Sequence, residues 1–85
     1  MTEELKIGNG TTTEYALKGL ENIEKGGKKL TILARGKKTS KALDVSEIIK
    51  SVLPPIETTL TSKTETFQSN GKEVRISSLK IRLLY

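Results

Sequence analysis

Apolar and polar positions along this chain change period several times, and each change marks an element. Leu5 and Ile7 alternate with polar neighbours and predict a short first strand, ended by Gly8-Asn9-Gly10. Thr11 and Glu14 form a capping box with Thr11 as N-cap, and Ala16, Leu17, Leu20 and Ile23 follow at helical spacing until Gly26-Gly27. Leu30, Ile32 and Ala34 alternate with Thr31 and Leu33, which predicts a largely buried second strand. After the corner Arg35-Gly36-Lys37-Lys38, Thr39 or Ser40 is placed to cap a second helix, with Ala42, Val45, Ile48, Ile49 and Val52 on one stripe and Pro54-Pro55 as its stop. Thr58 to Phe67 is threonine-rich and reads as extended. Ser69-Asn70-Gly71-Lys72 is the strongest hairpin signal in the chain, and a last strand runs from about Glu73 to Leu84.

The order is β-α-β-α-β-β. A helical crossover between the first two strands favours a parallel pair, whereas the closing hairpin is antiparallel. The expected fold is therefore a two-layer α/β domain spanning residues 1–85, with a mixed sheet, two helices and a projecting C-terminal β-hairpin arm. The last strand has one irregularity. Val74 and Ile76 share one face and Leu79, Ile81 and Leu83 the other, so the apolar phase switches at Ser77-Ser78. A bulge or strong twist there would satisfy both halves, and the outer half of the hairpin would leave the core.

Charge sharpens this picture. The net charge of +5 is unevenly placed: residues 28–43 carry six bases and no acid, residues 63–85 carry five bases and two acids, and the other two segments are each net negative. Two cationic blocks call for an anionic partner. The chain has neither cysteine nor histidine, which removes thiolate chemistry, disulfides and the commonest general base and metal ligand. No apolar run is long enough to span a bilayer, and the start, MTEELKIG, lacks a leader's basic and apolar regions. A cytoplasmic protein without a membrane partner is the expectation.

The candidate chemistry sits at the corner. A nucleotide loop of the type G-x-x-x-x-G-K-[ST] fails, because Lys38 follows Gly36-Lys37 and Thr31 stands in the first glycine's place. Gly8-x-Gly10 fails as a dinucleotide fingerprint, since Thr13 replaces the third glycine. Asp44 and Glu47 lie in the first turns of a helix, where carboxylates complement its dipole, and no catalytic or metal site is assigned to them. Asn9-Gly10-Thr11 matches a glycosylation sequon by chance. What remains is a polyanion grip: Arg35, Lys37, Lys38 and Lys41 where a strand gives way to a helix, with hydroxyls from Thr39 and Ser40 and a flexible Gly36. Lys63, Lys72 and Arg75 would extend it onto the arm. Tyr15, Phe67 and Tyr85 are the only aromatics, so no base-stacking platform is visible and contact would be mainly to phosphates.

Arg35-Gly36-Lys37 followed by Ser40-Lys41-Ala42-Leu43-Asp44 and Glu47-Ile48-Ile49 resembles the signature of the Alba family of archaeal chromatin proteins. Arg75-Ile76-Ser77-Ser78-Leu79-Lys80-Ile81 resembles that family's last strand, and Asn70-Gly71 falls where its long hairpin turns. The resemblance implies a non-enzymatic dimer whose central corners sit on the backbone of duplex DNA while paired arms reach along the minor groove. Carried over by position, Arg35, Lys37 and Lys41 would be central phosphate contacts, and Lys72 and Arg75 would belong to the arms; Gly36 and Ser40 join them from the reading of the corner itself. Lys38 and Lys63 are added from charge and location. No cofactor is implied. The expected partners are duplex DNA, RNA or both, and a second copy of the chain or a second Alba-type protein; the expected location is the chromosome.

Three departures from the family pattern stand out. Asn9-Gly10 replaces the paired lysines usual after the first strand, one of which is an acetylation target. Glu14 stands beside the matching Tyr15 where Asn is common. The end of the second helix, Ser51-Val52-Leu53, lacks the aromatic that packs dimers against each other. Two other readings stay open: an RNA-binding subunit of a ribonucleoprotein, and an interaction scaffold that uses its hairpin edge.

Overall fold

The computed structural model describes residues 2–85. Its elements are β1 (Thr2–Lys6), α1 (Thr12–Glu24), β2 (Lys29–Arg35), a 3-10 turn (Gly36–Lys38), α2 (Thr39–Val52), β3 (Glu57–Ser69) and β4 (Lys72–Leu84). The order β-α-β-α-β-β is the one read from the sequence. The strands form one mixed sheet in the order β1-β2-β4-β3, with β1 parallel to β2 and the other pairs antiparallel. Both helices cover one face, giving two layers.

The core lies between them. Leu30, Ile32 and Ala34 of β2 stand opposite Leu83, Ile81 and Leu79 of β4, and Ala16, Ala42, Val45 and Ile49 close over them from the helices. Burial of Leu30, Ile32, Val45, Ile49, Ile81 and Leu83 is essentially complete. Each such aliphatic side chain contributes about 1.5–3 kcal/mol on removal from water.

The helical stripes differ from the sequence reading. On α1, Leu17 is exposed; on α2 the buried face is Ala42, Val45, Ser46 and Ile49, while Ile48 and Val52 turn outward. The cause is a close approach. Gly19 lets α1 sit so near that a Cβ there would meet Ile49 Cδ1 at 2.7 Å and Leu30 Cδ2 at 3.0 Å. The interhelical seam is narrow, and the flanking apolar positions fall outside it. Ser46 is tolerated inside because its hydroxyl donates to the Leu43 carbonyl at 2.8 Å.

Of the bulge or strong twist expected at Ser77-Ser78, the bulge does not exist. β3 and β4 pair in unbroken register from Glu57↔Leu84 to Ser69↔Lys72. The phase switch has a different cause. Beyond Leu79 the hairpin runs past the helices, and its apolar residues move to the opposite face, where Phe67 stands across from Val74 and Glu65 from Ile76. A cross-strand aromatic and β-branched pair of this kind stiffens a hairpin that has no second layer. Asn70 (φ 51°) and Gly71 (φ 76°) both adopt left-handed conformations at its tip, as a two-residue I′ turn requires. The arm accounts for the elongated shape, 48 × 23 × 20 Å.

Candidate nucleic-acid interface

The corner is built where β2 leaves the sheet. Arg35 is the last extended residue (φ −132°, ψ 145°), and Gly36 at φ 57° reverses the chain into the 3-10 turn. A Cβ on Gly36 would meet nothing within 4 Å, so the glycine is needed for its backbone conformation rather than for space. The turn runs directly into α2. Thr39 is therefore already helical (φ −61°, ψ −39°) and cannot cap; its hydroxyl donates back to the Gly36 carbonyl at 3.0 Å. Ser40 is exposed, and neither residue takes the capping role read from the sequence.

The cations at the corner fall into two kinds. Arg35, Lys37 and the hydroxyl of Ser40 face solvent. Arg35 meets Glu65 of β3 at 3.5 Å, a pair more than half exposed on both sides and correspondingly weak. Lys38 and Lys41 instead reach across to the β1–α1 loop. Lys38 Nζ donates to Asn9 Oδ1 at 2.8 Å, and Lys41 Nζ donates to the carbonyls of Gly8 (3.2 Å) and Gly10 (2.7 Å). From the other side the Tyr15 hydroxyl accepts the amides of Gly8 (2.8 Å) and Gly10 (3.1 Å).

One short loop is thus held by a phenol at its amides and an ammonium at its carbonyls. The Gly10 and Gly8 amides, with the charges of Lys41 and Lys18, hold the Tyr15 phenol below its ordinary pKa against the opposing effect of burial. Asn9 and Tyr15 were not among the sequence-derived site residues. The signal for Tyr15 was its place in the first turns of α1, five residues past the glycine it binds. Nothing local marked Lys41 as its counterpart.

The arm cations do not share a face. Lys63 and Lys72 project from the side of the hairpin away from the helices, whereas Arg75 projects from the other side, where Glu73 lies 3.7 Å from it. Lys63 is not an arm-tip residue. It shares a row with Ser78 and Arg35, two strand spacings or roughly 10 Å from Arg35, while Lys72 lies six residues or roughly 20 Å further out. The structure therefore joins Arg35, Lys37, Lys38, Lys41 and Lys63 into one basic end of the sheet and leaves Lys72 and Arg75 on the arm. Among the described residues no group of three or more metal-ligating side chains stands together, and no helix is long and apolar enough to cross a membrane.

A two-layer sheet with a basic corner at the end of an inner strand and a long two-stranded arm makes a small α/β scaffold that presents cations at its surface. Among such scaffolds the match is specific: the Alba family model covers residues 3–70. The chain is 34% identical over 87 residues to the DNA/RNA-binding protein Alba of Thermoplasma acidophilum, covering 98% of each, and 29% identical over 80 residues to that of Methanocella arvoryzae, covering 91% of this chain and 83% of the relative. The solved structure of Alba from Thermoplasma volcanium superposes with a TM-score of 0.80 at 30% identity, covering 96% of this chain and 99% of that one. The chain belongs to the Alba family, whose relatives here are named for binding and not for catalysis.

Proposed function

We propose that this chain is a sequence-tolerant nucleic-acid-binding protein of archaeal chromatin that grips duplex DNA through backbone phosphates, as one domain of a dimer. The observation that carries the reading is the basic end of the sheet. Lys37 lies in the turn with no ion-pair partner among the described residues, Arg35 and Lys63 flank it, and Lys38 and Lys41 are held in place by the β1–α1 loop. The relatives' names supply the ligand class. Lys72 and Arg75 on opposite faces of the arm suit a hairpin that lies along a groove and meets phosphates on both walls.

Dimerisation has its own support. Ile56 is 86% exposed and Leu60 58% exposed on or beside the edge strand β3. Leu60 pairs with Ile81 on the face the helices cover, yet the helices leave it more than half exposed. A second copy of the chain, or a second Alba-type chain, would cover this apolar edge. Light scattering checks the stoichiometry, and Leu60→Asp should give a monomer.

The neutral Asn9-Gly10 loop favours a second reading, in which RNA is the main ligand and the protein serves a ribonucleoprotein. Fluorescence anisotropy with matched duplex DNA and structured RNA across a salt series separates the two. Backbone binding to DNA gives a log–log salt slope of about −0.9 per phosphate and little dependence on sequence. A clear RNA preference at equal salt moves the function to ribonucleoprotein assembly. No binding to either overturns both readings.

A further inference from the structure

The sheet face turned away from the helices carries charge that the corner does not explain. Alternation along β4 places Lys80 and Arg82 at its centre, and the register lays out three adjacent rows: Arg35–Ser78–Lys63, then Lys6–Leu33–Lys80–Thr61, then Thr31–Arg82–Thr59. Lys6, Lys63, Lys80 and Arg82 make no ion pair among the described residues, and the only pair in the three rows is the long one from Arg35 to Glu65. Lys80 and Arg82 stand two residues apart on one face, roughly 7 Å between Cα atoms. Ordinary protein surfaces intersperse signs; here neighbouring cations repel, with Glu65 beside them at one end and Glu4 and Glu57 at the other. The face is also hollow. A concavity of about 780 Å³ has six cations, Lys80 and Arg82 among them, in its wall, with Glu65 and apolar residues such as Leu33 and Leu79 between them.

We infer that this helix-free face is a second nucleic-acid surface, a trench that holds the backbone of a single strand of RNA. The inference rests on the reading that the chain binds nucleic acid; it shares Arg35, Lys38 and Lys63 with that reading and adds Lys6, Lys80 and Arg82, which that reading leaves idle. Phosphates are the groups that relieve a row of unpaired cations. The concavity selects the strand: a duplex is convex and stiff and meets the rim, whereas a single strand follows the floor. Thr61 and Thr59 stand beside Lys80 and Arg82, and their hydroxyls donate and accept as a 2′-hydroxyl requires. No aromatic lies in these rows, so bases are not stacked and the trench does not read sequence.

The test compares Lys80→Gln/Arg82→Gln with a control that removes two exposed cations elsewhere, Lys25→Gln/Lys28→Gln. Each is titrated with an unstructured uridine homopolymer and with duplex DNA over a salt series. The trench variant should lose about tenfold in RNA affinity, and its RNA salt slope should flatten by about 1.4, at roughly 0.7 per single-strand phosphate; duplex affinity should stay within about twofold. Lys6→Gln, on an edge strand where folding is not at stake, should lose affinity for RNA alone and by a smaller factor. Unchanged RNA binding in the trench variant overturns the inference, as does an equal loss for both ligands or for the control. Wild-type binding to duplex but not to RNA removes this inference alone. Binding to neither removes the corner reading as well.

Discussion

Tyr15→Phe isolates the lock on the β1–α1 loop, because it deletes one oxygen and keeps the ring. That oxygen accepts two backbone amides, from Gly8 at 2.8 Å and Gly10 at 3.1 Å, both part-buried. A typical intramolecular hydrogen bond is worth about 1 kcal/mol net, and a buried donor left unmade costs about 1–3 kcal/mol. Because the loop is half-exposed, water replaces part of what is lost. The expected destabilisation is about 1–2 kcal/mol, which in a domain this small lowers Tm by roughly 5–15 °C. Thermal unfolding followed by circular dichroism, at one fixed protein concentration because the proposed dimerisation would couple to Tm, measures it. Amide exchange at Gly8 and Gly10 should accelerate in the same variant while the core amides of β2 do not. A Tm within about 1 °C of wild type, with exchange at both glycines unchanged, would show that the loop is held without Tyr15.

Lys37→Ala should weaken binding to every duplex sequence alike and flatten the salt slope by about 0.9 per subunit, read by anisotropy; a change in sequence preference would contradict backbone binding. Gly19→Ala gains helix propensity of about 1 kcal/mol but pushes a methyl into Ile49 and Leu30, so a net loss of about 1–2 kcal/mol is expected in urea unfolding, and a stabilised protein would refute the close-packed seam. The two tyrosines should ionise in separate steps in an ultraviolet pH titration. Tyr15 ionises first, lowered chiefly by the Gly10 amide, and Tyr85 second, raised by burial, with Tyr15→Phe removing the earlier step. The stability effects have opposite signs: the lowered phenol favours folding above its unfolded pKa and loses that contribution as pH falls through the folded pKa. The raised one favours folding below its unfolded pKa and loses that contribution as pH rises through its folded pKa.

Local chemistry was legible in the sequence because it depends on residues close together in the chain. Thr11 does accept the Glu14 amide, at 3.2 Å, and α1 starts at Thr12. Asn70-Gly71 makes the turn that its two left-handed residues permit, and alternation from Leu30 to Ala34 marks the inward face of β2. The cationic corner was equally visible, since Arg35, Lys37, Lys38 and Lys41 lie close together in the chain. Tertiary structure alone decided the rest. Pairing of β4 with both β2 and β3 brings Lys63 into one row with Arg35, across Ser78, which 28 positions of sequence conceal. Packing of α1 on α2 through Gly19 turned Ile48 and Val52 outward, because interhelical distance, and not periodicity, sets the width of a buried stripe. Lys41 and Tyr15 meet at one loop from two helices. A side chain's period in the sequence gives its face, but its partner depends on which elements the fold brings alongside.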